Sequence, residues 1–225
     1  MNKLRLNLCM AAMVAALSST AQNPYADVEA TEAAMAVEVK YAGQKPGIVD
    51  FVTAYYNQEA REQEVGLGED MTDLWDKHLK NSVLDEGEKV TVDAKNGFVS
   101  FEKTYAGSDD KGSAQFKDVV EMCYWNCSDG KHKVFGVSET RYRDGKVTVT
   151  GEIQLGLYNN DTHKIIFSVF EWESEFSGIK TDVANPIVSY ALPRSGKNIT
   201  ATIHNSPSGE LKVQFVWDGL QFKQE

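Results

Sequence analysis

KVTVDAKNGFVSF, residues 89–101, marks the point where the chain changes its repeat. Val90 and Val92 alternate with Thr91 and Asp93, and Phe98, Val99 and Phe101 come after a short polar break. Side chains on a strand point to alternate faces, so apolar residues two apart cover one face of a sheet. Asn96-Gly97 between two such runs supplies the positive-φ residues that a tight hairpin needs. Residues N-terminal to this stretch have helical spacing, and residues C-terminal to it alternate. The order predicts an α+β fold: two N-terminal amphipathic helices and then a curved, mostly antiparallel sheet, cone-like in outline.

Upstream, Pro46 opens a segment in which Ile48, Phe51, Val52 and Tyr55 share one helical face, predicting a helix over 46–62 that Gly66 and Gly68 end. Asp70 fits the cap of a second helix, with Asp73 three residues on. Its stripe is Met71, Leu74, Trp75, His78 and Leu79. His78 on that stripe is open to two readings, ligand or base on one side and a hydrogen-bonded boundary histidine on the other. The second is the commoner fate. Residues 22–45 are rich in Ala and Glu without a strong period, and read as partly helical or loosely attached.

Downstream, Ala106 to Ser113 is rich in Gly, Ser and Asp and reads as a loop. Turns come next at Asp129-Gly130, Asp144-Gly145 and Asn159-Asn160-Asp161. Val147, Val149, Ile153, Leu155 and Leu157 share one parity, predicting a long strand with one buried and one wet face, bent at Gly151 and Gly156. Lys164 to Trp172 is apolar on both parities, which predicts a central strand covered on both sides. After Pro186 and Pro193, Ile199, Ala201 and Ile203 share a face, as do Leu211, Val213, Phe215 and Trp217; Asp218-Gly219 turns the chain before Phe222.

The first residues have the three parts of a secretory leader: Lys3 and Arg5, an apolar run from Leu8 to Leu17, then Ser19-Thr20-Ala21. The run is shorter than the roughly 20 apolar residues a membrane helix needs. Cys9 lies inside it, which argues against a lipid anchor. The expectation is a leader over 1–21 and a single soluble, exported domain over 22–225, in the periplasm or at the cell surface, with no membrane span after cleavage. The whole chain carries 23 Lys and Arg against 33 Asp and Glu, net −10, and loss of Lys3 and Arg5 makes the balance more negative still. That disfavours nucleic acid and anionic membrane surfaces as partners. Cys123 and Cys127 remain after cleavage. On one straight strand their Cα atoms stand roughly 13 Å apart, too far for a disulfide, whereas a bulge or turn permits one. Both states stay open.

The run Tyr124-Trp125-Asn126-Cys127-Ser128-Asp129-Gly130-Lys131-His132-Lys133, and the ending Val216-Trp217-Asp218-Gly219 with Phe222, are similar to many exported proteins of Bacteroidota without an assigned activity. A leader ending in Ala21 with Gln22 next resembles the same group. The resemblance implies a periplasmic or surface setting and carries no activity. Two helices before a curved sheet also resemble the cone-shaped nuclear-transport-factor-2-like fold, which hosts enzymes and binders alike.

Candidate chemistry is sparse. Glu171, Glu173 and Glu175 alternate on one strand, and paired carboxylates about 5–9.5 Å apart can hydrolyse glycosides. A solvated strand face explains the same pattern. Cys123, Cys127 and His132 lack the spacing and the fourth ligand of a common zinc site. Asp109, Asp110 and Asp118 lack a calcium-loop pattern. Ser195 lacks the preceding glycine of a nucleophile elbow, and Gly196-Lys197 is not a phosphate loop. Trp125, Trp172 and Trp217 could stack on a ligand, although core packing is the commoner fate of a strand tryptophan. No metal or cofactor is expected. The reading is a non-enzymatic module of the cell envelope that binds a small ligand, a glycan or an envelope protein. The alternative is a glycan hydrolase using Glu171 and Glu173, and a third reading is an adhesive or structural module.

Overall fold

The computed structural model describes residues 36–57, 71–167, 179 and 183–225. The leader with Cys9, the first part of the 22–45 segment, Gly66, Gly68, Asp70 and residues 168–175 lie outside the described residues. Among the described residues there are twelve strands: β1 (Ala36–Glu38), β2 (Glu88–Asp93), β3 (Phe98–Asp109), β4 (Gly112–Asn126), β5 (His132–Arg143), β6 (Lys146–Val147), β7 (Glu152–Asn159), β8 (Lys164–Phe167), β9 (Val188–Ala191), β10 (Ile199–Ile203), β11 (Leu211–Trp217) and β12 (Phe222–Gln224). The helices are α1 (Ile48–Tyr56) and α2 (Thr72–Leu79).

The α+β expectation of one curved, cone-like sheet behind two helices is overturned. Strand dominates, and the helices are short, at nine and eight residues. The strands divide into two open antiparallel sheets. One has eight strands in the order β1-β8-β7-β5-β4-β3-β2, with β6 paired to β5 off that path; the other has four in the order β12-β11-β10-β9. The likeness to the nuclear-transport-factor-2-like cone falls with it.

Alternation explains how the layers stack. On β4, Val120 and Met122 face the helices while Cys123 and Trp125 face the small sheet; on β5, Phe135 and Val137 face the helices while Val134 faces the small sheet. Over these residues the large sheet is therefore covered on both sides. Phe51 of α1 is wholly buried against Tyr124, Phe135 and Tyr158, with ring centroids 5.3, 5.7 and 5.0 Å away. Asp50 caps α1 by accepting the Gly47 N–H at 2.8 Å, and Trp75 Nε1 of α2 donates to Thr53 Oγ1 of α1 at 3.2 Å. On the other side, Ile199, Ala201, Ile203, Phe215 and Trp217 bury the face their parity predicts. They bury it against β4, β5 and β7, because a strand with one apolar face needs a partner layer to cover it.

Local expectations also change. Within the 22–45 segment, expected to be partly helical or loosely attached, Ala36–Glu38 is a strand paired to β8. Leu79 leaves the α2 stripe and is exposed. The expected loop over 106–113 is strand almost throughout: β3 and β4 pair out to Asp109↔Gly112, so only Asp110-Lys111 turn. The long strand from 147 is two strands, since the Gly151 N–H leaves the ladder to donate to Val188 O of β9 at 2.7 Å. Val149 is exposed in that break. The second face of β7 is wet only at its start, where Glu152 is exposed and Gln154 half-buried; further on, Tyr158 is buried beneath α1. β8 is next to the edge of its sheet, with β1 outside it among the described strands. At Asn96-Gly97 the chain does turn, but over four residues, 94–97, between the paired Asp93 and Phe98, with Gly97 and not Asn96 at positive φ, 69°. No helix among the described residues is long and apolar enough to cross a membrane.

Candidate functional site

Trp125 and Trp217 are packed between the sheets rather than offered to a ligand. Trp125 Nε1 donates to Lys197 O at 2.9 Å and Trp217 Nε1 to Asn126 O at 3.1 Å. Both rings meet Phe222, at 5.0 and 4.9 Å between centroids. Trp172, Glu171 and Glu173 lie outside the described residues.

The other sequence candidates are held in structural roles. His132 is buried with Nδ1 2.5 Å from Asp129 Oδ2, across the Asp129-Gly130 turn. Cys123 and Cys127 are buried thiols, and burial pushes the Cys123 thiol well above its ordinary range. Among the described residues no three His, Cys, Asp or Glu side chains gather to hold a metal. His78 stacks on Trp75 at 5.3 Å. Asp118 is buried and accepts from Arg141 Nε and Nη2 at 2.7 and 3.0 Å and from Tyr105 Oη at 3.1 Å. Ser195 sits in an exposed bend.

A site that the sequence did not suggest lies at the β1 edge. The chain leaving β1 and the β7–β8 turn enclose an open cleft of about 550 Å³, lined by polar Glu38, Lys40, Gln44 and Thr162 and by Tyr41 and His163. Two features build it. The Val39 N–H donates to His163 O at 2.8 Å, which clamps the β1 exit to the turn. Asn159 Oδ1 accepts the Asp161 and Thr162 N–H groups at 2.6 and 3.3 Å, which folds the turn and leaves His163 at φ 59°. Left-handed backbone is uncommon for a residue other than glycine, and histidine is among those that tolerate it. The rings of Tyr41 and His163 then stack at 5.3 Å and 12°. Glu38 and Lys40 are 3.9 Å apart and exposed, too well solvated to stabilise the fold appreciably, yet free to meet a ligand. The volume lies within the range of ligand sites. The polar lining suits a ligand rich in hydroxyl and amide groups, with the stacked rings as its apolar platform.

The chain matches no protein-family model, no curated protein and no solved structure.

Proposed function

We propose that the chain is an exported module of the cell envelope that binds a glycan through the cleft at β1. The carrying observation is the Tyr41–His163 stack at the rim of a polar cleft. A ring face beside charged and amide side chains serves a sugar, whose C–H face is apolar and whose hydroxyls donate and accept hydrogen bonds. The three-part leader supports a periplasmic or surface location.

The test is calorimetric titration of the purified chain with soluble envelope oligosaccharides, beside Tyr41→Ala and His163→Asn. Asparagine also tolerates positive φ, so that variant removes the ring and keeps the turn. Each variant is expected to bind at least about tenfold more weakly, which corresponds to about 1.4 kcal/mol. Wild-type affinity in both variants, or no heat with any sugar, overturns the proposal.

A further inference from the structure

The outer face of the small sheet carries an arrangement unrelated to the cleft. Val188 and Tyr190 of β9 and Ile203 of β10 are buried inward, so Ser189 and Thr202 between them point outward. His204 comes directly after β10 and is fixed by its N–H, which donates to Ile187 O at 2.8 Å. The hairpin to β11 closes with the Gly209 N–H on Ser206 O at 3.1 Å and returns Glu210 beside His204. The result is a relay of side chains. Ser189 Oγ is 2.8 Å from His204 Nε2, and His204 Nδ1 is 2.9 Å from Glu210 Oε1.

The polarity of this relay matters more than its membership. A carboxylate accepts only, so Glu210 draws the proton of a neutral imidazole onto Nδ1. Nε2 is then the acceptor, aimed at the serine hydroxyl. That is the order of nucleophile, base and orienting acid that activates a serine. Thr202 lies directly opposite Ser189, and Lys212 directly opposite Thr202, which places a hydroxyl and a cation in the same cross-strand row.

We propose that Ser189 is an acyl-accepting nucleophile toward short, unhindered carboxylic esters, with His204 as its base and Glu210 as a positioning residue. Ser189 Oγ attacks the ester carbonyl as its proton passes to His204 Nε2. The C–O bond to the alcohol then breaks, and the alcohol leaves with that proton. Water, activated by the same histidine, cleaves the acyl-serine to a carboxylic acid and restores the hydroxyl. Ser189 and Thr202 are half-buried and Lys212 is exposed, which suits an acetyl-sized group presented on a larger carrier rather than a long acyl chain.

The experiment is labelling of the full chain with a fluorophosphonate and with p-nitrophenyl acetate, read by peptide mass spectrometry and by release of p-nitrophenol. Modification is expected at Ser189, ahead of the exposed serines Ser195 and Ser208. His204→Gln should slow it at least about 100-fold, the contribution of a positioned general base. Glu210→Gln should slow it less, and Ser195→Ala should leave it unchanged. Circular dichroism confirms that each variant is folded. Labelling of Ser189 no faster than of Ser195, or an unchanged rate in folded His204→Gln, refutes the proposal.

Discussion

Phe222 joins the last strand to the core between the sheets, and its removal gives the sharpest test of the two-sheet arrangement. The side chain is 1 % exposed and meets Trp125 edge-on at 5.0 Å and Trp217 at 4.9 Å. Trp125 comes from β4 of the large sheet and Trp217 from β11 of the small one, so one phenyl ring bridges both. Phe222→Ala removes that bridge and leaves a cavity with two indole walls. Large-to-small changes of this kind cost about 3–5 kcal/mol. A chain of this size loses roughly 2–4 °C of Tm per kcal/mol, so the melting point should fall by roughly 6–20 °C. The neighbouring Lys223→Ala removes only an exposed ion pair to Asp218, 2.8 Å long, and should shift Tm by a degree or two. The assay is thermal unfolding monitored by near-ultraviolet circular dichroism and tryptophan fluorescence, since the perturbed rings report directly. If Phe222→Ala melts within about 2 °C of the wild type, the ring does not join the sheets and the arrangement is wrong.

Two further predictions concern the same core. Gly136 faces Trp125, and a Cβ there would lie 2.7 Å from Trp125 Cζ3 and 3.2 Å from Leu155 Cδ2; Gly136→Ala should cost about 1–3 kcal/mol by overpacking, read as a lower denaturation midpoint in urea. Glu121 accepts the Leu192 N–H at 2.7 Å, and burial raises its carboxyl above the ordinary range. A raised carboxyl favours the folded state while protonated, and that advantage is lost as pH rises through its folded pKa. Glu121→Gln keeps an acceptor for Leu192 and removes the charge. Its Tm relative to wild type should therefore improve from pH 4 towards pH 7, and a pH-independent difference would contradict the assignment.

Turn chemistry was legible in the sequence because it is local. Asn96-Gly97, Asp144-Gly145 and Asp218-Gly219 all turn the chain, and Gly97, Asp144, Gly145 and Gly219 all take positive φ. The parity of Ile199, Ala201 and Ile203 likewise identified their buried face. Which layer covers that face was not legible, since alternation states that a face is buried and not what buries it. Hence one curved sheet was expected where two are stacked. The 106–113 stretch misled for a different reason. Its Gly, Ser and Asp content signals a loop, but backbone pairing from Ala106↔Gln115 to Asp109↔Gly112 needs no apolar side chains.

The two sites were hidden by distance along the chain. Tyr41 and His163 meet only because β1 pairs with β8 and the β7–β8 turn brings His163 over β1's exit. Ser189, His204 and Glu210 meet only once the β9–β10 register and the β10–β11 hairpin are known. A signal did exist in the second case: a serine on the outward parity of β9 and a histidine directly after β10, with Gly209 turning a glutamate back towards them. Of the three strand tryptophans, Trp125 and Trp217 are taken up by the core between the sheets.

The measurement that bears most directly on the proposed function is a heteronuclear NMR titration of the isotope-labelled chain with envelope oligosaccharides. Binding at the cleft predicts saturable shifts confined to Glu38–Gln44 and Thr162–His163. Saturable shifts centred elsewhere, or none with any sugar, would contradict it.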